Sequence, residues 1–270
     1  MNTPWSTAIA RVDVDDVLVR GYPLSELVGE VSFVDMVFLV HTGELPGPHQ
    51  RRMLDAVFVT LIEHGISPST IISRELATCG TPMQAAIAGG VLSIADWHGG
   101  SGEDLAETLV VLLERVGDDA ADEATDERVE AVAVEYVRAR RGAGMRFEGF
   151  GHPQHPEGDP RAGTLLRLAD ECGTAGAATR LLRTLATVIT RETGKSLPPN
   201  VTGAVAAVLL DLGFSWRAMR GLVIAPRTAG LTAHVVEELE QGARWRHAPA
   251  DEIEYTGPAV RAPGPKGAGT

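Results

Sequence analysis

A chain of 270 residues with 44% apolar side chains can bury a large core, as one domain or as two unequal ones. Its formal charge is −12, from 36 acidic against 24 basic residues, and aromatics make up only 5%, which argues against a general nucleic-acid surface. Any arginines that hold an anion must therefore act locally, against a repulsive global field.

The longest apolar runs, near residues 87–95 and 204–210, fall far short of the ~18 residues of a membrane-spanning helix. The N-terminus, with Arg11 and then Asp13, Asp15 and Asp16, is unlike a secretory signal. Cys79 and Cys172 match no zinc or disulfide framework, so a reduced compartment fits and a cytoplasmic location is expected.

In chain order, residues 11–21 alternate weakly through Val12, Val14, Val17 and Val19 and predict a small hairpin. Ser32 to Asp35 forms the Ser-x-x-acid start of a helix that Gly43 stops. Residues 53–63 repeat the helical spacing with Leu54, Val57, Phe58, Leu61 and Ile62. Thr81-Pro82 predicts a third helix, proline at its first position, running to Ile94. An acidic stretch at 117–130 reads as a solvated helix or connector. Helices follow over 163–171 and 175–193, then a turn-rich break at 193–199. Residues 201–212 are apolar all round and predict a central helix. Ser215 caps another, residues 228–240 form the last before Gly242, and the Gly/Pro-rich tail after Gly257 reads as a mobile arm. The fold class is all-α.

Four constellations can carry chemistry. Asp96-Trp97-His98-Gly99-Gly100 lies past a helix end. His98 is there either as a favourable helix cap or as a donor aimed at a ligand carbonyl beside exposed backbone. Glu148-Gly149-Phe150-Gly151-His152-Pro153-Gln154-His155, followed by Asp159-Pro160-Arg161, packs glycines for close backbone approach, two imidazoles and an arginine able to grip a carboxylate. No strand precedes it, which removes a dinucleotide fingerprint, and His152, His155 and Asp159 lack the further ligands of a metal site. Arg227, in Pro226-Arg227-Thr228-Ala229-Gly230, stands in an apolar stretch, where a guanidinium must pair with an acid or await an anion. Arg244-Trp245-Arg246-His247 reads by itself as solvated surface.

These segments carry a resemblance. RGYPLSELV at 20–28, SFVDMVFLVHTGELP at 32–46, WHGG at 97–100, GFGH followed by DPR, LPPNV at 197–201 and APRTAG at 225–230 stand in the order found in citrate synthases. The ending RHAPADEIEYTGP resembles the citryl-CoA-cleaving module of ATP-citrate lyase, and GFGHPQH with NVTG resembles short bacterial citryl-CoA lyases.

The resemblance implies a large helical domain (1–115 and 196–270, with a C-terminal arm), a smaller one inserted at 116–195, and some peripheral helices missing. It also implies a homodimer with a shared active site in the cleft. The family joins or splits the carbon–carbon bond between acetyl-CoA and oxaloacetate through citryl-CoA. It needs no metal and no tightly bound cofactor, coenzyme A being part of the substrate.

By the same resemblance His98 bonds the thioester enol oxygen and His152 faces the oxaloacetate carbonyl or the tertiary hydroxyl of citryl-CoA. Arg161 and Arg227 bind carboxylates, His64 binds substrate, and Arg246 corresponds to an arginine given by the partner subunit. Gly149 and Gly151 face the CoA nucleotide, with Lys195 on a phosphate.

One position departs from the pattern: where the family has an aspartate after Asn-Val, this chain has Thr202, whose hydroxyl cannot act as a carboxylate base. Glu148 is the candidate replacement. Cleavage, which generates the enol by bond breaking, tolerates Thr202 better than synthesis does. The expectation is a citryl-CoA-lyase-like enzyme. The alternatives are a citrate or 2-methylcitrate synthase with another base, and a catalytically reduced subunit that binds CoA esters or a partner.

Overall fold

The computed structural model describes residues 5–117, 125–152 and 155–262. It opens on three short antiparallel strands, β1 (Ala10–Val12), β2 (Val17–Val19) and β3 (Tyr22–Pro23). The expected hairpin forms with Val12 opposite Val17 and gains a third strand. From there on the described chain is helical: α1 (Leu24–Leu27), α2 (Phe33–Thr42), α3 (Pro48–Leu61), α4 (Pro68–Thr78) and α5 (Met83–Leu92). A π-helical turn (Asp96–Gly100) leads into α6 (Ser101–Val116), α7 (Thr125–Gly142), α8 (Pro160–Glu171), α9 (Ala177–Thr193), α10 (Val201–Asp211) and α11 (Met219–Gln241). The mostly helical class read from the sequence holds, with strands, among the described residues, confined to residues 10–23.

Several boundaries move for local reasons. The capping box of α2 is complete: Ser32 Oγ accepts from the Asp35 amide at 3.2 Å, and the Ser32 amide donates back to Asp35 Oδ2 at 2.8 Å. Helix α3 starts at Pro48, well before residue 53, because proline is at ease in a first helical turn, and it stops at Leu61. In α5 the proline sits one place earlier than expected, as Pro82 is the residue before the helix. The last helix begins at Met219, not at residue 228, and runs through Pro226. Burial of Leu222, Pro226, Arg227, Gly230 and Leu231 along one side outweighs the bond that the proline removes. Ser215 caps a short 3₁₀ turn, Trp216–Ala218, that feeds this helix. Of the acidic stretch, residues 118–124 lie outside the described residues. Asp126, Glu127 and Glu130 stand exposed on α7, as a solvated helix requires. Of the tail, residues 258–262 are exposed and without regular structure, and 263–270 lie outside the described residues.

One apolar core runs through α2, α3 and α6 to α11. Leu181, Leu182, Leu185 and Ile189 of α9 and Leu209 of α10 are fully buried, each stabilising by roughly 1.5–3 kcal/mol. Helix α10 is enclosed on nearly all sides, as its sequence predicts.

Two close approaches fix the parts that matter for the site. A Cβ on Gly90 of α5 would stand 2.1 Å from Ser73 Oγ and 2.7 Å from the Ser69 carbonyl, so α4 and α5 meet at glycine distance. The loop before His152 is stitched to the start of α10: Asn200 N donates to Gly149 O at 2.9 Å, Gly151 N to Pro198 O at 2.8 Å, and Asn200 Nδ2 to Gly151 O at 2.8 Å. A Cβ on Gly203 would lie 2.4 Å from Gly149 O. Gly203→Ala is therefore expected to lower stability by about 1–3 kcal/mol through overpacking, measured as a drop in urea midpoint at constant m-value.

Candidate functional site

The end of α3, the π-helical turn and the first turns of α6, α8 and α10 converge with α11 on a cavity of about 190 Å³. His64, His98, Arg161, Thr202 and Arg227, all singled out in the sequence, line it together. Ligand sites for drug-sized molecules span roughly 300–1,000 Å³, so this one suits a small acid and not a whole CoA ester.

His98 sits where the backbone leaves helical geometry (φ −141°, ψ 90°), and Gly99 follows at φ 83°, a conformation that favours glycine. Its Nε2 lies 3.0 Å from the hydroxyl of Ser69, a buried residue of α4, which leaves Nδ1 as the nitrogen available to a ligand. Burial, then the charges of Arg227 and His64, hold its pKa below the ordinary imidazole value, so the ring is neutral at pH 7.

Arg227 is the unusual cation. It is 9% exposed, its Nε donates to the Leu61 carbonyl at 2.9 Å, and its Nη1 is buried with no protein partner. Burial lowers its pKa, Glu63 opposing and Arg161 adding to the effect. A buried guanidinium on a cavity wall, with one donor left without a protein partner, is suited to an anion.

Arg161 is held more firmly. Its Nε and Nη2 donate to Asp159 at 3.0 and 2.9 Å, and Asp159 also caps α8 through the Arg161 amide and takes the Val201 amide at 3.0 Å. Burial alone would raise the Asp159 pKa, but these donors outweigh it and hold the carboxyl below its usual range. His152 stands beside this pair: burial lowers its pKa, Asp159 raises it, and His155, Arg161 and His64 lower it further. The His152 and His155 rings lie 4.8 Å apart.

Thr202 faces Gly102 of α6, where a Cβ would come 3.1 Å from its methyl group. Among the described residues, no carboxylate lines the cavity. Glu148 is ion-paired with Arg140 and does not join the lining. Lys195 is exposed past the end of α9, its amide on Thr193 Oγ1 at 3.2 Å, also apart from the cavity. Arg246 donates to buried Glu238 at 2.5 Å, and its amide reaches Thr78 Oγ1 at 3.4 Å, which puts it against α11 and the end of α4. Gly149 and Gly151, at φ 80° and 70°, shape the loop against α10.

The supporting roles of two residues escape a reading of the sequence. Asp159 had a signal, since an Asp-Pro pair marks a helix start. Ser69 had none, being one of several small hydroxyl residues in α4.

Comparison with known proteins places the fold. The structure of citryl-CoA lyase from Hydrogenobacter thermophilus superposes with a TM-score of 0.84 at 33% identity, covering 96% of this chain and 97% of that one. ATP citrate lyase from Methanothrix soehngenii, solved with citrate and coenzyme A, shares the fold at a TM-score of 0.76 and 20% identity, over 96% of this chain and 42% of that one. The fold is thus that of the citrate synthase-like enzymes. Residues 46–248 match the citrate synthase C-terminal domain family, and the chain belongs to the citrate synthase family. Among curated relatives, 2-methylcitrate synthase of Mycobacterium tuberculosis is 25% identical over 82% of this chain, and citrate synthase 2 of Bacillus subtilis 26% identical over 80%. The chain spans about half the length of these two, 52% and 54%.

Proposed function

We propose that the protein is a carbon–carbon lyase that splits citryl-CoA, or a close hydroxy-polycarboxyl-CoA thioester, into acetyl-CoA and a keto acid such as oxaloacetate. The observation that carries this reading is the cavity's lining: Arg161, His64 and Arg227, whose Nη1 is buried without a protein partner, border a space with no carboxylate in its lining among the described residues. Likeness to citryl-CoA lyase over nearly the full length supports it.

In this mechanism the arginines and His64 hold the carboxylates. His152 takes the proton of the tertiary hydroxyl, and that oxygen's electrons form the keto group as the adjacent carbon–carbon bond breaks. The bond's electrons pass to the departing thioester, whose enolate oxygen receives a hydrogen bond from neutral His98. The enol carbon then takes a proton from water, since Thr202 offers no acid of the needed kind.

The CoA portion exceeds the cavity and would run along Gly149, Gly151 and Lys195 with no resident cofactor. Apolar Ile71 and Ile72 of α4, Met83 and Leu92 of α5 and Leu239 of α11 are exposed, and a second copy covering them makes the homodimer in which Arg246 serves the partner's site. No described helix is long and apolar enough to cross a membrane.

Incubation with citryl-CoA is expected to yield acetyl-CoA and oxaloacetate. Binding of CoA esters without cleavage overturns the reading in favour of a binding subunit. Both imidazoles must be neutral and both pKa values are depressed, so the acid limb of kcat/KM is expected to have its midpoint below 6.5. A limb above 6.5 would exclude these histidines as the titrating groups. Stability follows the same sign. Folding disfavours protonation here, so the contribution of the neutral rings is full above 6.5 and is lost as pH falls through the depressed values.

A further inference from the structure

We infer that Arg220 is a positioning residue that sets His98 at a fixed distance from the carboxylate site. The proposal rests on the lyase reading above for its catalytic consequence, but not for its geometry. The π-helical turn that carries His98 has no side-chain cap at its start, and α6, which begins directly after it, has none either. An uncapped turn with two non-helical residues inside, His98 and Gly99, is a poor platform for a catalytic imidazole.

Arg220, in the first turn of α11, supplies the missing support from across the site. Its Nη2 donates to Asp96 Oδ1 at 2.8 Å, at the entry of the turn, and its Nε to Glu103 Oε2 at 2.7 Å, just beyond the exit. The guanidinium thus straddles the turn. A Cβ on Gly100 would stand 3.0 Å from Nη2 and 2.7 Å from the Ala95 carbonyl, so glycine at 100 lets this clamp close.

The same helix carries the substrate arginine. Arg220, Val223 and Arg227 follow the i, i+3, i+7 spacing of a single helix face, and Val223 lines the cavity between the other two. At 1.5 Å per residue, seven residues span about 10.5 Å of axis. One helix therefore carries Arg227 near one end of the bound acid and, through Arg220, the turn bearing His98 near the other. Asp96 is well exposed, and surface ion pairs contribute little to stability, so the clamp's value lies in geometry and not in folding energy.

The test compares Arg220→Gln and Arg220→Lys with wild type, and takes His98→Asn as the reference for loss of the imidazole. Arg220→Gln is expected to lower kcat for citryl-CoA cleavage by roughly 10- to 100-fold, the scale of a misplaced catalytic group. Oxaloacetate binding should stay within about twofold, because Arg161 and Arg227 are untouched, and Arg220→Lys should recover part of kcat. Hydrogen exchange at the amides of His98 and Gly100, both bonded to the Ala95 carbonyl, should accelerate in Arg220→Gln while α6 and α11 keep their protection.

Unchanged exchange at those two amides overturns the proposal. So does a kcat within about twofold of wild type, or a parallel loss of oxaloacetate binding. If wild type itself fails to split citryl-CoA, the lyase reading falls, and the exchange result alone still decides whether Arg220 holds the turn.

Discussion

Replacing Arg227 with methionine is expected to make the ligand-free protein more stable and nearly inactive. The wild-type guanidinium is buried with Nη1 unpartnered, and an unsatisfied buried polar group costs about 1–3 kcal/mol. An apolar side chain of similar reach removes that cost, and each kcal/mol is worth roughly 2–4 °C of melting temperature in a chain near this size. Losing one member of a buried charge-assisted contact costs some 2–5 kcal/mol of binding, or about 30- to 5,000-fold in kcat/KM at roughly 1.4 kcal/mol per decade. The decisive measurement is paired thermal scans with and without citrate or oxaloacetate. Wild type should gain stability with ligand, and the variant should start higher and gain none. A variant that melts lower than wild type without ligand would mean that Arg227 is a structural residue already satisfied by the protein.

The second large effect is a gain of activity. Thr202→Asp places a carboxylate in a cavity that holds Arg161, Arg227 and His64 and has no acid of its own in the lining. A positioned general base is worth about 10²–10⁴-fold, so the variant is expected to condense acetyl-CoA with oxaloacetate to citryl-CoA, followed by chromatography of the CoA esters, at a rate at least 10²-fold above wild type. No gain would mean that the missing aspartate is not what separates this chain from a synthase. Glu148 is poorly placed to explain such an outcome, because its carboxylate is occupied by Arg140.

How much of this was legible in the sequence depended on the residue types that each element buries. Helices α2, α3 and α10 announce themselves through apolar periodicity and caps, and their burial follows that pattern. Helix α4 does not, because its buried positions are Ser69, Thr70, Ser73, Ala77 and Thr78, and hydroxyl residues leave no apolar stripe. It can be polar inside because α5 approaches it on glycines, and its Ser69 is the residue that orients His98. Leu105, Leu109 and Leu112 also space like a helix, so α6 lay within reach of the same rule that found α3.

Of the cavity residues, His98, Arg161 and Arg227 were visible beforehand as polar groups in glycine-flanked turns or apolar stretches, whereas His64 and Thr202 came only from the resemblance to citrate synthases. The supporting roles behind them were not visible. Arg220 acts on the His98 turn through a contact 124 positions away in the chain, a distance that no local pattern encodes, while Asp159, only two places from Arg161, also takes the Val201 amide 42 positions on.

The meeting of Gly149 with Gly203 has a consequence for how this protein can change over generations. Each glycine fills the room in which the other would need a Cβ, one blocked by Leu105 and the Gly203 Cα, the other by the Gly149 carbonyl. Neither position can drift alone, and compensation by its neighbour is closed because the neighbour is already as small as a residue can be. Variation in this lineage should therefore collect around the pair, in the length and composition of the segment after His152, while the two glycines stay paired even in descendants that have exchanged one acyl substrate for another.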